Sequence, residues 1–301
     1  MEQNSVKLNL KYYSGSDYYS DGDVENELLE IVRKYDSYES ILQDNKRWPI
    51  LYHLSPLRWN LLQWYPFEKE SSLLEIGAGC GALTGLFCQQ VHDVTAVELS
   101  KKRAEIISHR CKKQENLEII VGNIEDIHFE KKFDYITLIG VLEYAGKYID
   151  GVQPHKKFLE LVRSFLKPNG TLIVAIENKF GLKYWAGARE DHSGKLFESV
   201  EGYLQNDGVK TFSRNELEEL LYESGLLSNR FYYPLPDYKL PNKIYSDHYL
   251  PKPGDIRTTP NYDRDRYLLF NEQSTFNNIV DNNQFPFFAN SFLTFSRQGD
   301  E

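Results

Sequence analysis

From residue 72 onward, short apolar runs alternate with amphipathic stretches. The runs "SLLEIG" (72–77), "DVTAVEL" (93–99), "LEIIVG" (117–122), "FDYITLIG" (133–140) and "GTLIVAIEN" (170–178) read as strands. Helices are predicted at 81–90, 101–114 and 154–167. Nearly continuous apolar strands between helices imply a parallel sheet covered on both faces, an α/β fold. Upstream, 21–35 predicts a helix capped by Asp21 or Asp23, with Val24, Leu28, Leu29, Ile31 and Val32 on its apolar side. A second helix is predicted at 55–67, with Ser55 at the cap, Pro56 at its first position and Pro66 at its end. Residues 1–20 show no period and predict a loosely docked arm. Downstream, 179–210 lacks a strand–helix signature, and 239–285 is rich in Pro, Asn, Asp and Tyr. Between them, "SRNELEELLYESG" (213–225) predicts a helix with Ser213 as cap, Glu216 completing a capping box and Gly225 as stop. "NRFYYPLPDY" (229–238) and "FANSFLTFSR" (288–297) read as strands. The chain therefore divides into an N-terminal arm and helical cover (1–68) and an α/β core (69–301) with insertions at 179–210 and 239–285.

Composition narrows the function classes. With 301 residues, 41% hydrophobic and 26% charged, the chain is long enough for a core without staples. The three cysteines, Cys80, Cys88 and Cys111, form no CxxC pair, which points to a reducing, cytoplasmic setting. Met1 is followed by polar and acidic residues, so no secretory leader is expected, and no apolar run is long enough for membrane insertion. The net charge of −9 argues against a nucleic-acid partner, which would call for a basic stripe.

The turn "GAGCGA" (77–82) joins the first core strand to the following helix. It satisfies a dinucleotide fingerprint, G-x-G-x-x-A, with Glu98 at the end of the next strand. It equally satisfies E-x-G-x-G-x-G, led by Glu75. In both readings the glycines admit close backbone approach and Glu98 accepts from ribose hydroxyls. Glu75 separates them. A carboxylate there repels a pyrophosphate but attracts the ammonium or sulfonium of an adenosylated methionine. The loop therefore favours S-adenosylmethionine over NAD, subject to the charge that Glu75 carries once buried.

Residues 73–178 resemble a class I S-adenosylmethionine-dependent methyltransferase, through "LLEIGAGCGALT", "VTAVELSKKRAE", "VGNIEDI", "FDYITLIGVLEY" and "LKPNGTLIVAIEN" in that order. The resemblance implies a Rossmann-like, mainly parallel, seven-stranded sheet with an antiparallel last strand. The 229–235 and 288–296 segments would form the last hairpin, with 239–285 inserted between them. It also implies that Gly77, Ala78, Gly79 and Gly81 line the methionine and ribose side, that Glu98 binds the ribose, and that Leu99 packs on adenine. Asn123 stands where the family often has an acid for the adenine amino group. Ile124 would add adenine packing, and Gly140, Val141 and Leu142 would floor the pocket. A narrower similarity, carried by "YSDGDVENELLEIV", "YHLSPLRWNLL", "IENKFGLKYWAGAREDHSGKLFESVEGY", "GVKTFSRNELEELL" and "FYYPLPDYKLPNKIYSDHYLP", is to a bacterial group found beside surface-polysaccharide glycosyltransferases. It implies a glycan or glycan-precursor acceptor.

Methyl transfer to a hydroxyl needs alignment and a base for the departing proton. His192 in "AREDHSG" has acids Glu190 and Asp191 beside it and an ordinary pKa near neutrality. Glu143 follows the fourth strand, at the methyl-transfer region in the family, and Glu177 ends the fifth. Candidate acceptor contacts are Asn178, Tyr184, Trp185, Arg189, Asp191, Tyr232, Tyr233 and Tyr238. Tyr52 and Arg58 are expected to close over the cofactor, with Arg58 on its carboxylate. Glu190, Asp191 and His192 resemble the ligands of some metal-dependent O-methyltransferases, but a third ligand is not evident, and no metal is expected. The rival readings are an NAD(P)-dependent oxidoreductase, a non-catalytic binding domain, and a methyltransferase acting on a small molecule or a peptide carboxyl.

Overall fold

The computed structural model describes residues 6–17, 22–204, 208–257 and 260–299. It divides into two compact units, Met1–Leu138 with Phe165–Gly170, and Ile139–Ser164 with Thr171–Glu301.

In the first unit, strands β1 (Lys7–Tyr12), β2 (Ser72–Ile76), β3 (Asp93–Glu98), β4 (Leu117–Gly122) and β5 (Phe133–Ile139, whose last residue belongs to the second unit) follow the order β1-β4-β3-β2-β5. All four pairings are parallel, with Glu75 opposite both Ala96 and Thr137. The central strands are apolar on both faces, as burial on both sides requires: Leu73, Leu74, Val94, Ala96, Ile119 and Ile136 have no exposed surface. Helix Asp23–Lys34 inserts Leu28, Leu29 and Val32 among Ile50, Leu54, Cys80 and Ile106. Each fully buried leucine there contributes about 2 kcal/mol. The same helix buries Glu25 in an ion pair with Arg103 at 2.6 Å.

In the second unit, β6 (Leu166–Glu177, within this unit from Thr171), β7 (Ser228–Leu235), β8 (Lys243–Ser246) and β9 (Ser291–Arg297) follow the order β6-β9-β7-β8, all antiparallel. The expected pairing of the 229–235 and 288–296 segments is present, as β7 against β9. Helix Arg214–Glu223 carries the expected capping box between Ser213 and Glu216.

Several expectations are corrected. Nine strands are described in place of seven, the additions to the expected set being β1 and β8. Lys7–Tyr12 falls in the arm that showed no period; it pairs with β4, and Lys7 is salt-bridged to Glu118 at 2.7 Å. The 55–67 segment is a 3-10 helix over Pro56–Leu61, where Ser55 accepts from the Leu57 amide, and a separate helix, Trp48–Leu54, precedes it. The first helix starts after Gly22 without a side-chain cap, and Asp21 lies outside the described residues. The 239–285 insertion contains β8 and helix Glu272–Asp281, and 179–210 contains the short helix Leu182–Trp185.

Candidate active site

The glycine turn follows β2 in the first unit. Gly77, Gly79 and Gly81 all have positive φ, the left-handed region that glycine enters without cost. Gly81 has a second constraint: a Cβ there would lie 3.2 Å from Ile107. At Gly79 a Cβ would meet nothing within 4 Å, so the backbone is exposed for close approach. Glu98, at the end of β3, braces this turn. One carboxylate oxygen accepts from the Gly79 amide at 2.8 Å and the other from the Ser100 amide at 3.0 Å. A carboxylate has about four acceptor positions, so Glu98 keeps capacity to accept from a ribose hydroxyl. Burial raises the Glu98 pKa.

Glu75 is buried, and its carboxyl accepts from the Thr84 hydroxyl at 2.6 Å. Burial pushes its pKa up to about 8, opposed by that hydrogen bond and by the charges of Arg110 and Arg58. The sequence reading gave Glu75 a charge; burial makes it a neutral acid at pH 7 until a cation arrives. Arg58 is also buried, with its guanidinium 4.5 Å from the centre of the Tyr52 ring. Two neighbours tie the upstream helices to the turn, and sequence reasoning missed both roles. Arg110 donates to the carbonyls of His53 and Cys80, and the Trp59 indole donates to the Ala82 carbonyl. Asp17 accepts from the amides of Lys101 and Lys102 at the start of helix Lys101–Arg110, where an anion is favoured. Ala78 and Ile124 are buried and Leu99 is half-buried. Asn123 already spends one lone pair of its amide oxygen on the Glu125 amide, leaving one for an adenine amino group.

The second unit gathers the catalytic candidates. Gly140, at φ +70°, allows the turn after β5; a Cβ there would lie 2.8 Å from the Tyr238 hydroxyl. Val141 is half-buried and Leu142 fully buried. Glu143, Glu177 and His192 come together with one ligand atom from each within 4.8 Å of the others. His192 Nε2 is 3.5 Å from Glu143 Oε1, and its Nδ1 is 2.9 Å from Glu190 Oε1. Glu190 also accepts from the amides of His192 and Ser193 and from the Tyr203 hydroxyl, so His192 is held from two sides.

These contacts alter three sequence-based roles. Hydrogen bonds to Glu143 and Glu190 outweigh burial and hold the His192 pKa well above its ordinary value, so it does not titrate near neutrality as expected. Asp191 contacts Lys183 at 2.9 Å, Lys239, and the Tyr184 hydroxyl at 2.5 Å, which commits it to an ion-pair group. Asn178 is fully buried and spends both amide hydrogens on the Phe287 and Ala289 carbonyls and its oxygen on the Phe180 amide. It braces the end of β6 and has no donor left for an acceptor.

The aromatic candidates divide similarly. Tyr184, Tyr233 and Tyr238 are among the largest fully buried side chains, with no ring face open to a sugar. The Tyr233 hydroxyl is held by Asp247 and Arg214. Trp185 is 39% exposed, with its indole donating to the Phe180 carbonyl. Tyr232 is half-buried, edge-on to Phe295, and Arg189 donates to the Gly194 carbonyl. Lys183 and Lys239 went unnoticed in the sequence. Lys239 bridges Asp191 and Glu177, and only its place in "PDYKLP" beside Asp237 hinted at a charge group.

Residues 74–174 match the family model described as a methyltransferase domain. Among curated relatives, malonyl-[acyl-carrier protein] O-methyltransferase of Priestia megaterium is 29% identical over 109 residues, covering 36% of this chain and 37% of the relative. Ribosomal RNA small subunit methyltransferase A of Alkaliphilus metalliredigens is 25% identical over 141 residues, covering 45% of this chain and 47% of the relative. The chain thus spans less than half the length of either relative. Among solved structures, the DhpI–SAH complex is 16% identical with a TM-score of 0.45, covering 94% of this chain and all of that one. The segment 74–174 that matches the methyltransferase-domain model contains the glycine turn braced by Glu98, an arrangement that fits S-adenosylmethionine as cofactor.

Proposed function

We propose that the chain transfers a methyl group from S-adenosylmethionine to a hydroxyl of a glycan or glycan precursor. The observation that carries this reading is the group of buried Glu143 and Glu177 with half-buried His192, drawn from the segment after β5, the end of β6 and the 179–210 insertion. Glu177 ends β6 and Glu143 follows the end of β5, and carboxyl ends of strands are where α/β sheets place their ligands. The cofactor supplies a methyl carbon on a positively charged sulfur, already activated for in-line displacement. This chain's residues have to hold the acceptor oxygen in line and receive its proton. The carboxylates of Glu143 and Glu177 suit that task, because a hydroxyl donates to a carboxylate before it loses its proton, and His192 hydrogen-bonds Glu143 and helps to orient it.

The glycan class rests on the narrower resemblance and on composition. A net charge of −9 disfavours an RNA acceptor, although one relative bears a ribosomal RNA name. Trp185, partly exposed on a short helix after β6, offers a ring on which a sugar can stack. The test is transfer of labelled methyl from the donor to a panel of nucleotide sugars, oligosaccharides, acyl thioesters and RNA, with wild type and His192→Ala. Label entering a sugar, and falling about a hundredfold or more in the variant, supports the proposal. Label confined to RNA or to a carboxyl would replace the acceptor class.

A further inference from the structure

The Glu143, Glu177 and His192 group has a feature that proton transfer alone does not require. Both carboxylates are buried, at 1% and 0% exposure, and Oε2 of each has no hydrogen-bond partner among the described residues. An ionised oxygen left without a partner inside a protein is costly and normally meets a cation. Lysine does not fill that need completely. Lys239 contacts Oε1 of Glu177 and is shared with Asp191, while Lys183 serves Asp191 and Asp237. The wider group holds the carboxyls of Glu143, Glu177, Glu190, Asp191 and Asp237 against two lysines and His192.

We propose that Glu143, Glu177 and His192 form a divalent-cation site, of the kind that takes Mg2+ or Mn2+. The donor set is two carboxylates and one imidazole, hard oxygen ligands with one nitrogen. Neighbouring ligands of an ion bound at about 2.1 Å lie about 3 Å apart. His192 Nε2 and Glu143 Oε1, at 3.5 Å, need only a small adjustment to reach this. Glu190 supplies the outer contact that metal-bound histidines usually have: its carboxylate accepts from Nδ1–H and directs Nε2 toward Glu143, and the Nε2 proton is released when the ion binds. The ligands come from three separate segments, which is why the contiguous set Glu190, Asp191 and His192 was misleading in the sequence. The role of the ion rests on the methyl-transfer reading, in which it would bind the acceptor hydroxyl and lower its pKa; the site itself does not.

The test is titration of chelator-stripped full-length chain with Mn2+, followed by the loss of the free-ion electron paramagnetic resonance signal, with Mg2+ as competitor. Glu143→Gln, Glu177→Gln and Glu190→Gln are measured alongside, each checked for a cooperative thermal transition. S-adenosylhomocysteine binding is measured in parallel by calorimetry. The expected result is one Mn2+ per chain, displaced by Mg2+, with affinity lowered about tenfold or more in at least one folded ligand variant and in Glu190→Gln. No binding by wild type at millimolar Mn2+, or equal binding by every folded variant, overturns the site. Mn2+ binding without S-adenosylhomocysteine binding would keep the site and remove the proposed function. The reverse pattern would do the opposite.

Discussion

Glu75 shows how burial changes the meaning of a residue. In the sequence it is a carboxylate two positions before a glycine turn; in the folded chain its pKa is pushed up to about 8, chiefly by burial. An acid whose folded pKa lies above its unfolded value of about 4.3 favours folding below that unfolded value, and the benefit is lost as pH rises toward 8. Glu75→Gln, which cannot ionise, should therefore gain stability relative to wild type between pH 5 and 8, by about 1.4 kcal/mol per pH unit at most. Urea unfolding at several pH values checks this, and a difference independent of pH would contradict it. Binding of the ammonium-bearing cofactor should draw the Glu75 proton off at pH 7. Calorimetry in buffers of different ionisation enthalpy should then show net proton release that Glu75→Gln lacks. The glycines and Glu98 were legible because they lie within one local motif. The Lys239 contacts to Glu177 and Asp191 were not, because 62 and 48 residues separate the partners and no period links them.

At the level of elements, legibility followed burial. Strands β2 to β6 stand out as apolar runs because both faces are covered. Strand β1, "KLNLKY", is largely exposed at the edge of its sheet, so selection for an apolar face left no clear trace. The four-residue β8 was too short to give a period. The Ser213–Glu216 capping box was readable because it is local, whereas the first helix, which begins after Gly22, lacks the side-chain cap expected of Asp21 or Asp23. Ser213→Ala should remove one half of the capping box of helix Arg214–Glu223 and cost about 1 kcal/mol, measured by chemical unfolding. The buried Glu25–Arg103 pair joins helix Asp23–Lys34 to helix Lys101–Arg110. Glu25→Gln removes the carboxylate that pairs directly with the buried Arg103 guanidinium and should cost about 3 kcal/mol. An unchanged unfolding midpoint would mean that water reaches Arg103.

At the scale of the whole chain, chemistry is divided between the two units. The first holds the glycine turn, Glu75 and Glu98, and the second holds Glu143, Glu177 and His192. No described helix is long and apolar enough to cross a membrane. The net charge of −9 predicts weak binding to RNA at physiological salt, checked by filter binding across salt concentrations. The central claim is that the glycine turn of the first unit holds an adenosyl methyl donor. Its most direct test is calorimetric titration of the full chain with S-adenosylmethionine, S-adenosylhomocysteine and NADH, for wild type and Glu98→Ala. The account predicts that both adenosyl ligands bind, that Glu98→Ala weakens them by about 1.5–3 kcal/mol, the worth of hydrogen bonds to a charged group, and that NADH does not bind. Binding of NADH alone, or adenosyl binding indifferent to Glu98, would contradict it.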